Sequence, residues 1–493
     1  MAARPKRDMG RASAVRRADR VVRWDDAADV VVVGLGAAGA CAAIEAADAG
    51  ADVLVLERAS AGGGTSANST GQIYLGGGTP VQKACGFEDS PEEMYKYLMA
   101  SCGPAPDEAK IRLFCDECVE HYHWLVRQGV PFKESYYGEG SYTPTDDCLS
   151  YSGSERAHPY PGVARPAPRG HTVQQEGIEA GGQLMKSLLA AVARRPVRVQ
   201  ADTLCETLVV EPGGRVVGVV AKVYGEERCL RARRGVVLCA GGFINNRAML
   251  ARHAPLLARC RMRLGVDGDD GRGIRMGMGA GGEVVRMDTA SIVLPFTVPK
   301  GLIRGIMVNA QGQRFINEDA YQTVVGEAAL HGQGGRIWLV VDDAVYEQPF
   351  PPTEIAAVAD TPEALERELG FPPESLSHTL RVYNQHAARG EDPAFHKAAE
   401  FLVPLVSPPL AALDYSPEKA LWAVFTLGGL WTDCDGRVLT PDGDPVAGLY
   451  AAGRTTSGLA AQGYSSGLSL ADATFFGRRA GRTAAAASGD VPA

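Results

Sequence analysis

A strand, a glycine-rich turn and a helix near the start of the chain constrain the fold most strongly. The stretch from Asp29 to Gly39 reads DVVVVGLGAAG. Four consecutive valines are typical of a strand that is buried on both faces of a parallel sheet. The alanine-rich segment that follows predicts a helix, and DVLVLE predicts a second strand that ends at Glu57. These elements form a βαβ unit and predict an α/β fold.

The spacing of the glycines and the acid predicts dinucleotide binding. Gly34 permits a tight turn, Gly36 lets backbone N–H groups approach a pyrophosphate, and Gly39 lets the helix pack against the strand. The helix N-terminus attracts the anion. Glu57 can accept hydrogen bonds from a ribose diol. A glycine turn without a ligand would explain the glycines, but it would not explain an acid at the end of the second strand.

A second glycine-rich loop favours FAD as the dinucleotide. Residues 59–78 read ASAGGGTSANSTGQIYLGGG, which NAD does not need but which suits a ligand with a diphosphate and a flavin ring. Two later buried strands end at Ala240-Gly241 and at Gly453. The candidate cofactor-binding residues are Gly34, Gly36, Ala38, Gly39, Glu57, Arg58, Gly63, Gly64, Thr65, Ser66, Gly71, Ala240, Gly241, Gly453, Ser469 and Leu470.

Composition and charge narrow the choice of partners and compartment. The chain of 493 residues has a net charge of −8, which argues against nucleic acid. No apolar run reaches the roughly 18–20 residues that would span a bilayer. The basic first 24 residues lack the apolar core of a secretory signal and predict a disordered tail. Eleven cysteines without a framework fit a reducing, cytoplasmic compartment.

A lone CxxC motif, from Cys115 to Cys118, leaves two interpretations open. Zinc would need a second pair of ligands at suitable spacing, and His121 and His123 are the nearby candidates. Buried thiols in a predicted helix are the favoured interpretation. We predict no metal site.

The order of these motifs resembles the fumarate reductase/succinate dehydrogenase flavoprotein superfamily. The strand, GxGxxG turn, helix, strand and Glu are followed by GGGTS, VVLCAGGF and GLYAAGR. The resemblance extends from about residue 28 to residue 482. It implies an FAD-binding Rossmann-type domain of the glutathione-reductase type, split in sequence around an α+β cap. The implied division is a tail at 1–24, a first FAD-binding part at 25–285, the cap at 286–407 and a second FAD-binding part at 408–493.

Two departures separate this chain from the fumarate reductases of that superfamily. Those enzymes have a His where this chain has Phe425, and an acid-donating Arg where this chain has Tyr321 and Gln322. A dicarboxylate needs cationic clamps, so a fumarate-type ene-reductase is the less favoured alternative. No His lies in residues 57–120, and we therefore expect FAD to be bound non-covalently.

Three further stretches are similar to the 3-ketosteroid dehydrogenases, most closely the Δ4-(5α) type. They read IYLGGGTPVQKACGF, EHYHWLVRQGVPFKES and APRGH. That type has a second glycine where this chain has Gln462. The resemblance implies a steroid substrate, whereas the electron acceptor or donor and the direction of the reaction stay open. A 3-ketosteroid Δ1-dehydrogenase and a non-catalytic flavin electron carrier are the remaining alternatives.

The resemblance implies that Tyr464, Ser466 and Tyr321 are the active-site residues. Introducing a double bond beside a ketone removes one hydrogen as a proton and one as a hydride. The implied reaction is proton transfer at C4 and hydride transfer between C5 and flavin N5. Hydrogen bonds and the N-terminus of the helix predicted after Gly467 would lower the pKa of Tyr464 from about 10. His171 is either a proton relay or, as favoured, a structural residue.

Overall fold

The computed structural model describes residues 14–140 and 143–488. Its strands are β1 (Arg16–Arg17), β2 (Asp26–Val33), β3 (Val53–Leu56), β4 (Gln72–Tyr74), β5 (Leu149–Ser150), β6 (Gly170–Thr172), β7 (Val197–Gln200), β8 (Thr203–Val210), β9 (Val216–Val223), β10 (Glu226–Leu238), β11 (Met262–Arg263), β12 (Val284–Val285), β13 (Ala290–Val293), β14 (Ile306–Asn309), β15 (Ile337–Asp342), β16 (Ile355–Ala359), β17 (Leu410–Asp414), β18 (Ala423–Thr426), β19 (Gly429–Leu430), β20 (Arg437–Leu439) and β21 (Pro445–Ala451).

The helices connect these strands and cover their faces. They are α1 (Ala37–Asp48), α2 (Gly64–Ala67), α3 (Pro80–Ala84), α4 (Pro91–Ser101), α5 (Glu108–Arg127), α6 (Gly181–Ala193), α7 (Arg247–His253), α8 (Arg272–Gly279), α9 (Gln322–Glu327), α10 (Pro362–Leu369), α11 (Ser375–Ala387) and α12 (Leu468–Ala486). Within the described part of the chain, no helix is both long and apolar enough to cross a membrane.

The main sheet confirms the predicted α/β architecture. Its strand order is β1-β8-β9-β10-β2-β3-β7, and β21 pairs with β10 and β20. The strand β2 runs parallel to both β3 and β10, and β3 runs parallel to β7. The run Val30–Val33 is buried, as expected for a parallel strand that is covered on both faces.

Helices α1 and α12 approach each other too closely for side chains at the contact. A Cβ atom at Gly477 would lie 2.5 Å from the Ala38 carbonyl oxygen, and one at Gly481 would lie 2.1 Å from the Ala42 carbonyl oxygen. Because both contacts advance by one turn, the two helices run parallel. The contact at Gly477 falls opposite the start of α1, whereas α12 begins nine residues earlier at Leu468. The first part of α12 therefore extends about 13 Å beyond the glycine turn.

The chain is ordered earlier than the predicted tail at 1–24 suggests. Residues 1–13 of that tail lie outside the described residues. Arg16–Arg17 forms the edge strand β1, which pairs with β8, and Arg16 forms an ion pair with Glu227 at 2.9 Å. Trp24 packs against a small apolar cluster on the same part of the sheet. These contacts attach the end of the predicted tail to the sheet, which its basic composition does not reveal.

The cap sheet extends past the predicted boundary at residue 407. Its strand order is β14-β15-β17-β16, and α10 packs against it. The strand β17 begins at Leu410, yet it pairs with both β15 and β16. We therefore place the end of the cap after Asp414. Since β17 is an apolar strand like those of the main sheet, its sequence does not distinguish the two parts.

Buried charges hold the cap segment that leads to Tyr321. The fully buried carboxylate of Glu318 accepts hydrogen bonds from Arg314 and from the Met307 backbone N–H, both at 2.8 Å. Lys397 Nζ lies 3.2 Å from the same carboxylate. Burial alone would raise the pKa of Glu318, but Lys397 and Arg314 hold it below its ordinary value. Glu318 is thus ionised and fixed on three sides.

Replacing Glu318 should destabilise the protein strongly. In Glu318→Gln the buried Lys397 loses its ion-pair partner and Arg314 keeps only its pair with Asp392, and we expect the free energy of unfolding to fall by about 3–5 kcal/mol. Because the pKa is lowered by folding, the loss should be largest near neutral pH and should shrink as the pH falls below about 4. Denaturant unfolding at several pH values measures this effect.

The control for this experiment is Glu354→Gln. Glu354 pairs with Lys419 at 2.9 Å, but both side chains are about half exposed, so the loss should stay below about 1 kcal/mol. Equal losses in the two variants would show that the buried cluster does not stabilise the cap.

Candidate active site

A cavity of about 910 Å³ opens where the glycine turn, the cap and the start of α12 meet. All three predicted catalytic residues line it. Fourteen of the sixteen predicted cofactor-binding residues line it as well. They are Gly34, Gly36, Ala38, Glu57, Arg58, Gly63, Gly64, Thr65, Ser66, Ala240, Gly241, Gly453, Ser469 and Leu470.

Gly39 and Gly71 do not line the cavity, because backbone packing occupies their surroundings. A Cβ atom at Gly39 would lie 1.9 Å from the Gly34 carbonyl oxygen, which agrees with the packing role expected of this glycine. A Cβ atom at Gly71 would lie 2.3 Å from the Ala180 carbonyl carbon. Both glycines therefore shape the walls behind the cavity.

The hydroxyl of Tyr464 lies at the start of α12. It accepts a hydrogen bond from the Ser469 backbone N–H at 3.3 Å. The ring of Tyr464 packs edge-on against Phe425, with 5.3 Å between ring centroids. The side chain is 8% exposed. The phenol is thus held by an aromatic contact on one side and by a helix N-terminus on the other.

Tyr321 and Ser466 are both held by the loop 152–154. The Tyr321 backbone N–H donates to Ser154 Oγ at 2.9 Å, and the Ser466 backbone N–H donates to the Ser152 carbonyl oxygen at 2.7 Å. The first bond comes from the cap and the second from the turn before α12. The loop therefore joins two of the predicted catalytic residues that are far apart in sequence.

The neighbouring serine, Ser465, is directed away from this group. Its hydroxyl hydrogen-bonds Tyr97 at 2.9 Å, and Ser465 is not among the residues that line the cavity. Of the two consecutive serines in the turn, Ser466 is therefore the one that lines the cavity.

Gln462, the departure from the steroid dehydrogenase pattern, does not line the cavity. Its side chain is exposed. Its backbone N–H donates to the Cys102 carbonyl oxygen at 3.1 Å. The substitution therefore affects the outer side of the turn that carries Tyr464.

Gly34 and Gly36 are glycines for different reasons. Gly34 has a φ of +98°, and a Cβ atom there would lie 2.5 Å from the Cys239 carbonyl oxygen, so the protein itself requires a glycine. Gly36 has the extended backbone that any residue adopts, with a φ of −82°. Its Cβ atom would be 3.5 Å from the nearest protein atom outside its chain neighbours. The protein alone does not exclude a side chain at Gly36, which leaves space for a ligand beside the turn.

Glu57 is held at the end of β3 by the backbone. One carboxylate oxygen accepts the Leu35 N–H and the other accepts the Ala59 N–H, each at 2.8 Å. A carboxylate oxygen has a second lone pair, so Glu57 can still accept a ribose hydroxyl. Its neighbour Arg58 forms an ion pair with Asp270 at 3.3 Å.

Asp269 joins three loops of the cavity, although the sequence analysis does not identify it. Its carboxylate accepts hydrogen bonds from Thr65 Oγ1 at 2.5 Å and from the Gly242 N–H at 2.9 Å. Arg454 donates to it at 2.8 Å. The sequence pattern that could have identified Asp269 is Gly268-Asp-Asp-Gly271, directly before α8. An acid in such a turn lies at the start of a helix, next to the glycine loops.

Three of the four arginines that line the cavity pair with acids, the fourth being Arg263. Arg454 pairs with Asp269 at 2.8 Å, while Arg58 and Arg272 pair with Asp270 at 3.3 Å and 3.5 Å. The guanidinium of Arg454 also lies over the ring of Phe425, 5.5 Å from its centroid. These pairings neutralise three cations that could otherwise clamp a dicarboxylate.

His171 lies outside the cavity lining. Its Nε2 hydrogen-bonds Thr79 Oγ1 at 2.8 Å, and its Nδ1 hydrogen-bonds the Arg169 carbonyl oxygen at 3.2 Å. Burial lowers the pKa of His171 to about 4. These contacts support the structural interpretation of this histidine over the proton relay.

The thiols near the cavity are protonated at neutral pH. Burial raises the pKa of Cys205 and of Cys239 to about 12, so neither is a nucleophile. The CxxC cysteines Cys115 and Cys118 are buried in α5. Within residues 14–140 and 143–488, no three His, Cys, Asp or Glu side chains are grouped so that they could hold a metal ion.

Comparisons with known proteins assign the chain to a family. Residues 29–469 match the family model described as FAD binding domain. The 3-oxo-5-alpha-steroid 4-dehydrogenase of Comamonas testosteroni is 32% identical, over 88% of this chain and 93% of its own length. The crystal structure of a 3-ketosteroid-delta4-(5alpha)-dehydrogenase from Rhodococcus jostii RHA1, in complex with 4-androstene-3,17-dione, is 47% identical. It covers 96% of this chain and 99% of its own, with a TM-score of 0.91.

The chain belongs to the FAD-binding 3-ketosteroid Δ4-(5α)-dehydrogenase family. It is a flavoprotein oxidoreductase, and FAD is its cofactor, as predicted. A 3-ketosteroid delta1-dehydrogenase from Sterolibacterium denitrificans has the same fold, with a TM-score of 0.70 at 24% identity over 94% of this chain and 100% of its own. That likeness extends to the fold alone.

The cavity fits the cofactor of this family. The open side of Gly36 and the N-terminus of α1 suit a diphosphate, and Glu57 at the end of β3 suits a ribose. The start of α12 lies about 13 Å farther along, which suits an elongated ligand with its reactive ring at the other end. These residues would hold FAD.

A side chain at Gly36 should remove FAD binding without unfolding the protein. Since the backbone and the neighbouring atoms accept a Cβ, Gly36→Val should fill only the space of the diphosphate. We expect the purified variant to be colourless, with the circular dichroism spectrum of the wild-type protein stripped of FAD. Flavin absorbance per mole of protein measures the effect.

The matched control is Gly213→Val, in the turn between β8 and β9. No atom lies within 4 Å of a Cβ at this position, and Gly213 does not line the cavity. This variant should keep a full complement of FAD. Stoichiometric FAD in Gly36→Val would contradict the proposed place of the diphosphate.

Proposed function

We propose that the protein acts on the C4–C5 bond of a 3-ketosteroid. It converts a 5α-dihydro-3-ketosteroid into the Δ4-3-ketosteroid, or catalyses the reverse 5α-reduction when an electron donor is supplied. The names of the Comamonas and Rhodococcus family members support this substrate class, and the second was crystallised with 4-androstene-3,17-dione. When bound, FAD supplies the acceptor for the hydride that leaves C5.

One observation carries the proposal most directly. The hydroxyl of Tyr464 accepts the Ser469 N–H at the start of α12, and it lines the same cavity as the glycine turn at Gly36. A proton acceptor is thus placed in the cavity that suits the cofactor. Flavin electron transfer without a substrate would not require a phenol at this point.

Tyr464 is our candidate for the proton acceptor at C4. The C4–H bond is next to the C3 carbonyl, so it breaks by loss of a proton. The backbone N–H of Ser469 donates to the phenolic oxygen, and the positive end of the α12 dipole lies beside it. Both stabilise a phenolate more than a neutral phenol. The helix therefore favours the form of Tyr464 that accepts a proton.

Tyr321 and Ser466 are our candidates for the groups that support this step. Each has a hydroxyl, each lines the cavity, and each backbone is fixed by the loop 152–154. A hydroxyl that donates to the C3 carbonyl oxygen would stabilise the negative charge that develops there when the C4 proton leaves. The other can exchange a proton with Tyr464.

The walls around these hydroxyls suit an apolar ring system. Phe425 and Val293 line the cavity close to Tyr321 and Tyr464. Three of the wall arginines are paired with acids, which leaves them poorly placed to bind the two ends of a dicarboxylate. We therefore propose a steroid and not fumarate as the substrate. All eleven cysteines are unpaired, which supports the proposal of a reducing, cytoplasmic location.

We expect FAD to be released intact when the protein is precipitated with acid. No His lies in residues 57–120, where an attachment residue would be needed close to the glycine-rich loop. The supernatant should contain FAD in an equimolar ratio to the chain, identified by chromatography. Flavin that stays with the precipitate, or FMN in the supernatant, would refute non-covalent FAD.

Replacing Tyr464 should slow the reaction while both ligands still bind. Phenylalanine retains the ring contact with Phe425 but cannot accept a proton. General acid–base catalysis is typically worth about 10²–10⁴-fold, so kcat of Tyr464→Phe should fall by a factor in that range. Ser466→Ala should lose less. Anaerobic flavin reduction by a 5α-dihydro-3-ketosteroid measures the rate.

Tyr122→Phe is the matched control for Tyr464→Phe. Tyr122 is also buried, at 7% exposure, but it does not line the cavity. Its replacement should leave kcat within about twofold of the wild-type value, because the change removes no contact to the reacting groups. Near-normal turnover in Tyr464→Phe would remove Tyr464 from the mechanism.

An isotope label at C5 tests which bond is oxidised. A 5α-dihydro-3-ketosteroid with deuterium at C5 should lose its label and yield the Δ4-3-ketosteroid, and reduction of the flavin should slow through a primary isotope effect. Mass spectrometry of the product measures retention. A 1,2-desaturated product that keeps the C5 label would assign the protein Δ1 activity instead.

A further inference from the structure

Ser291 lies in the wall of the cavity on its cap side. It lies on β13, which pairs antiparallel with β18 so that Ser291 is directly opposite Phe425. Directly opposed residues project to the same face of a sheet, and so do residues two apart on one strand. Phe425 and Val293 both line the cavity, as Ser291 does. The alternate residues Ala290 and Ile292 belong to the apolar core of the cap.

The hydroxyl of Ser291 has no partner among the residues that the structure describes. The residue is 0% exposed, and its Oγ makes no hydrogen bond to any of them. Leaving a buried hydroxyl unsatisfied costs about 1–3 kcal/mol. An alanine would avoid that cost and fit the same space. Other buried hydroxyls of the described chain, such as that of Ser375, are also unpartnered, but Ser291 belongs to a residue that lines the cavity, where a ligand can supply the partner.

The surroundings of Ser291 place this missing partner in the substrate half of the cavity. Phe425 packs against the ring of Tyr464, and β13 lies beside the segment that carries Tyr321, where the Leu294 N–H donates to the Gln322 carbonyl oxygen. The glycine turn that precedes α1 lies about 13 Å from the start of α12, measured along the two helices. Ser291 is thus next to the proposed proton-transfer residues and away from the diphosphate.

We propose that Ser291 is a specificity-determining residue whose hydroxyl donates a hydrogen bond to a carbonyl oxygen of the steroid substrate. This inference rests on the proposed function. A ketone is the acceptor that a 3-ketosteroid brings into an otherwise apolar wall. The contact makes the wall select a ketosteroid over a hydrocarbon of the same shape, because a bound hydrocarbon would leave Ser291 unsatisfied.

The proposal is tested by comparing the wild type with Ser291→Ala for binding of steroids that differ in their ketone groups. Oxidised holoenzyme and its Ser291→Ala variant are titrated with Δ4-unsaturated steroids, which cannot be oxidised again at C4–C5, and which carry ketones at C3 and C17, at C3 alone, or at C17 alone. The perturbation of the flavin absorbance gives each Kd. For the diketone, Ser291→Ala should raise Kd by about 2- to 12-fold, the equivalent of one neutral hydrogen bond. For the monoketone that lacks the contacted carbonyl, variant and wild type should have the same Kd.

Stability separates this role from a structural one. Because Ser291→Ala removes an unsatisfied buried hydroxyl, the ligand-free holoenzyme should unfold at the same or a higher temperature than the wild type. Ser375→Ala, which removes an equally unpartnered buried hydroxyl elsewhere in the described part of the cap, should leave every Kd unchanged. A destabilised Ser291→Ala holoenzyme would show that the hydroxyl serves the fold and would overturn the proposal.

Two further outcomes would also overturn it. Equal Kd values for wild type and Ser291→Ala with all three steroids would exclude the contact. Weaker FAD retention or a shifted flavin spectrum in the absence of steroid, with steroid affinity unchanged, would assign the hydroxyl to the cofactor. If the flavin absorbance of the wild type responds to no ketosteroid, the proposed function itself is contradicted. If the wild type responds and Ser291→Ala has the same Kd values, only the inference about Ser291 is contradicted.

Discussion

The active site depends on the close packing of α12 on α1. Side chains larger than hydrogen at Gly477 and Gly481 would overlap the backbone of α1, so these two helices meet at a distance that only glycine permits. The contact fixes how far α12 extends past the glycine turn. Because both helices point their N-termini toward the cavity, the positive ends of two helix dipoles lie about 13 Å apart along it.

The second of these N-termini lies beside Tyr464, our candidate for the proton acceptor. Gly467 ends the turn, and the next residues form the first turn of α12, where the Ser469 N–H reaches back to the hydroxyl of Tyr464. A phenol in a tight turn at the start of a helix therefore has a physical reason. It obtains a rigid position beside the positive end of the α12 dipole.

Local patterns predicted the parts of the site that are built from consecutive residues. The roles of Gly34 and Gly39 follow from spacing alone, and the resemblance to a known family supplied Tyr321, Tyr464 and Ser466.

Asp269 was missed because its partners Thr65 and Arg454 lie about two hundred residues away in sequence, and no local pattern encodes such contacts. Ser291 was missed for a related reason, since only the register of β13 against β18 shows which way it points. The predicted end of the cap, at residue 407, lies before β17, because β17 is as apolar as a strand of the main sheet and its sequence does not assign it to the cap.

The loop 152–154 has a consequence for how this family can diversify. It holds Tyr321 and Ser466 through their backbone N–H groups, so the tether does not depend on which side chains those two positions carry. Only Ser154 contributes a side chain to it. Mutations at these two positions can therefore change the side chain that lines the cavity without removing the hydrogen bonds that align cap and turn. The backbone thus fixes where these two side chains stand, while the side chains themselves determine which groups face the cavity.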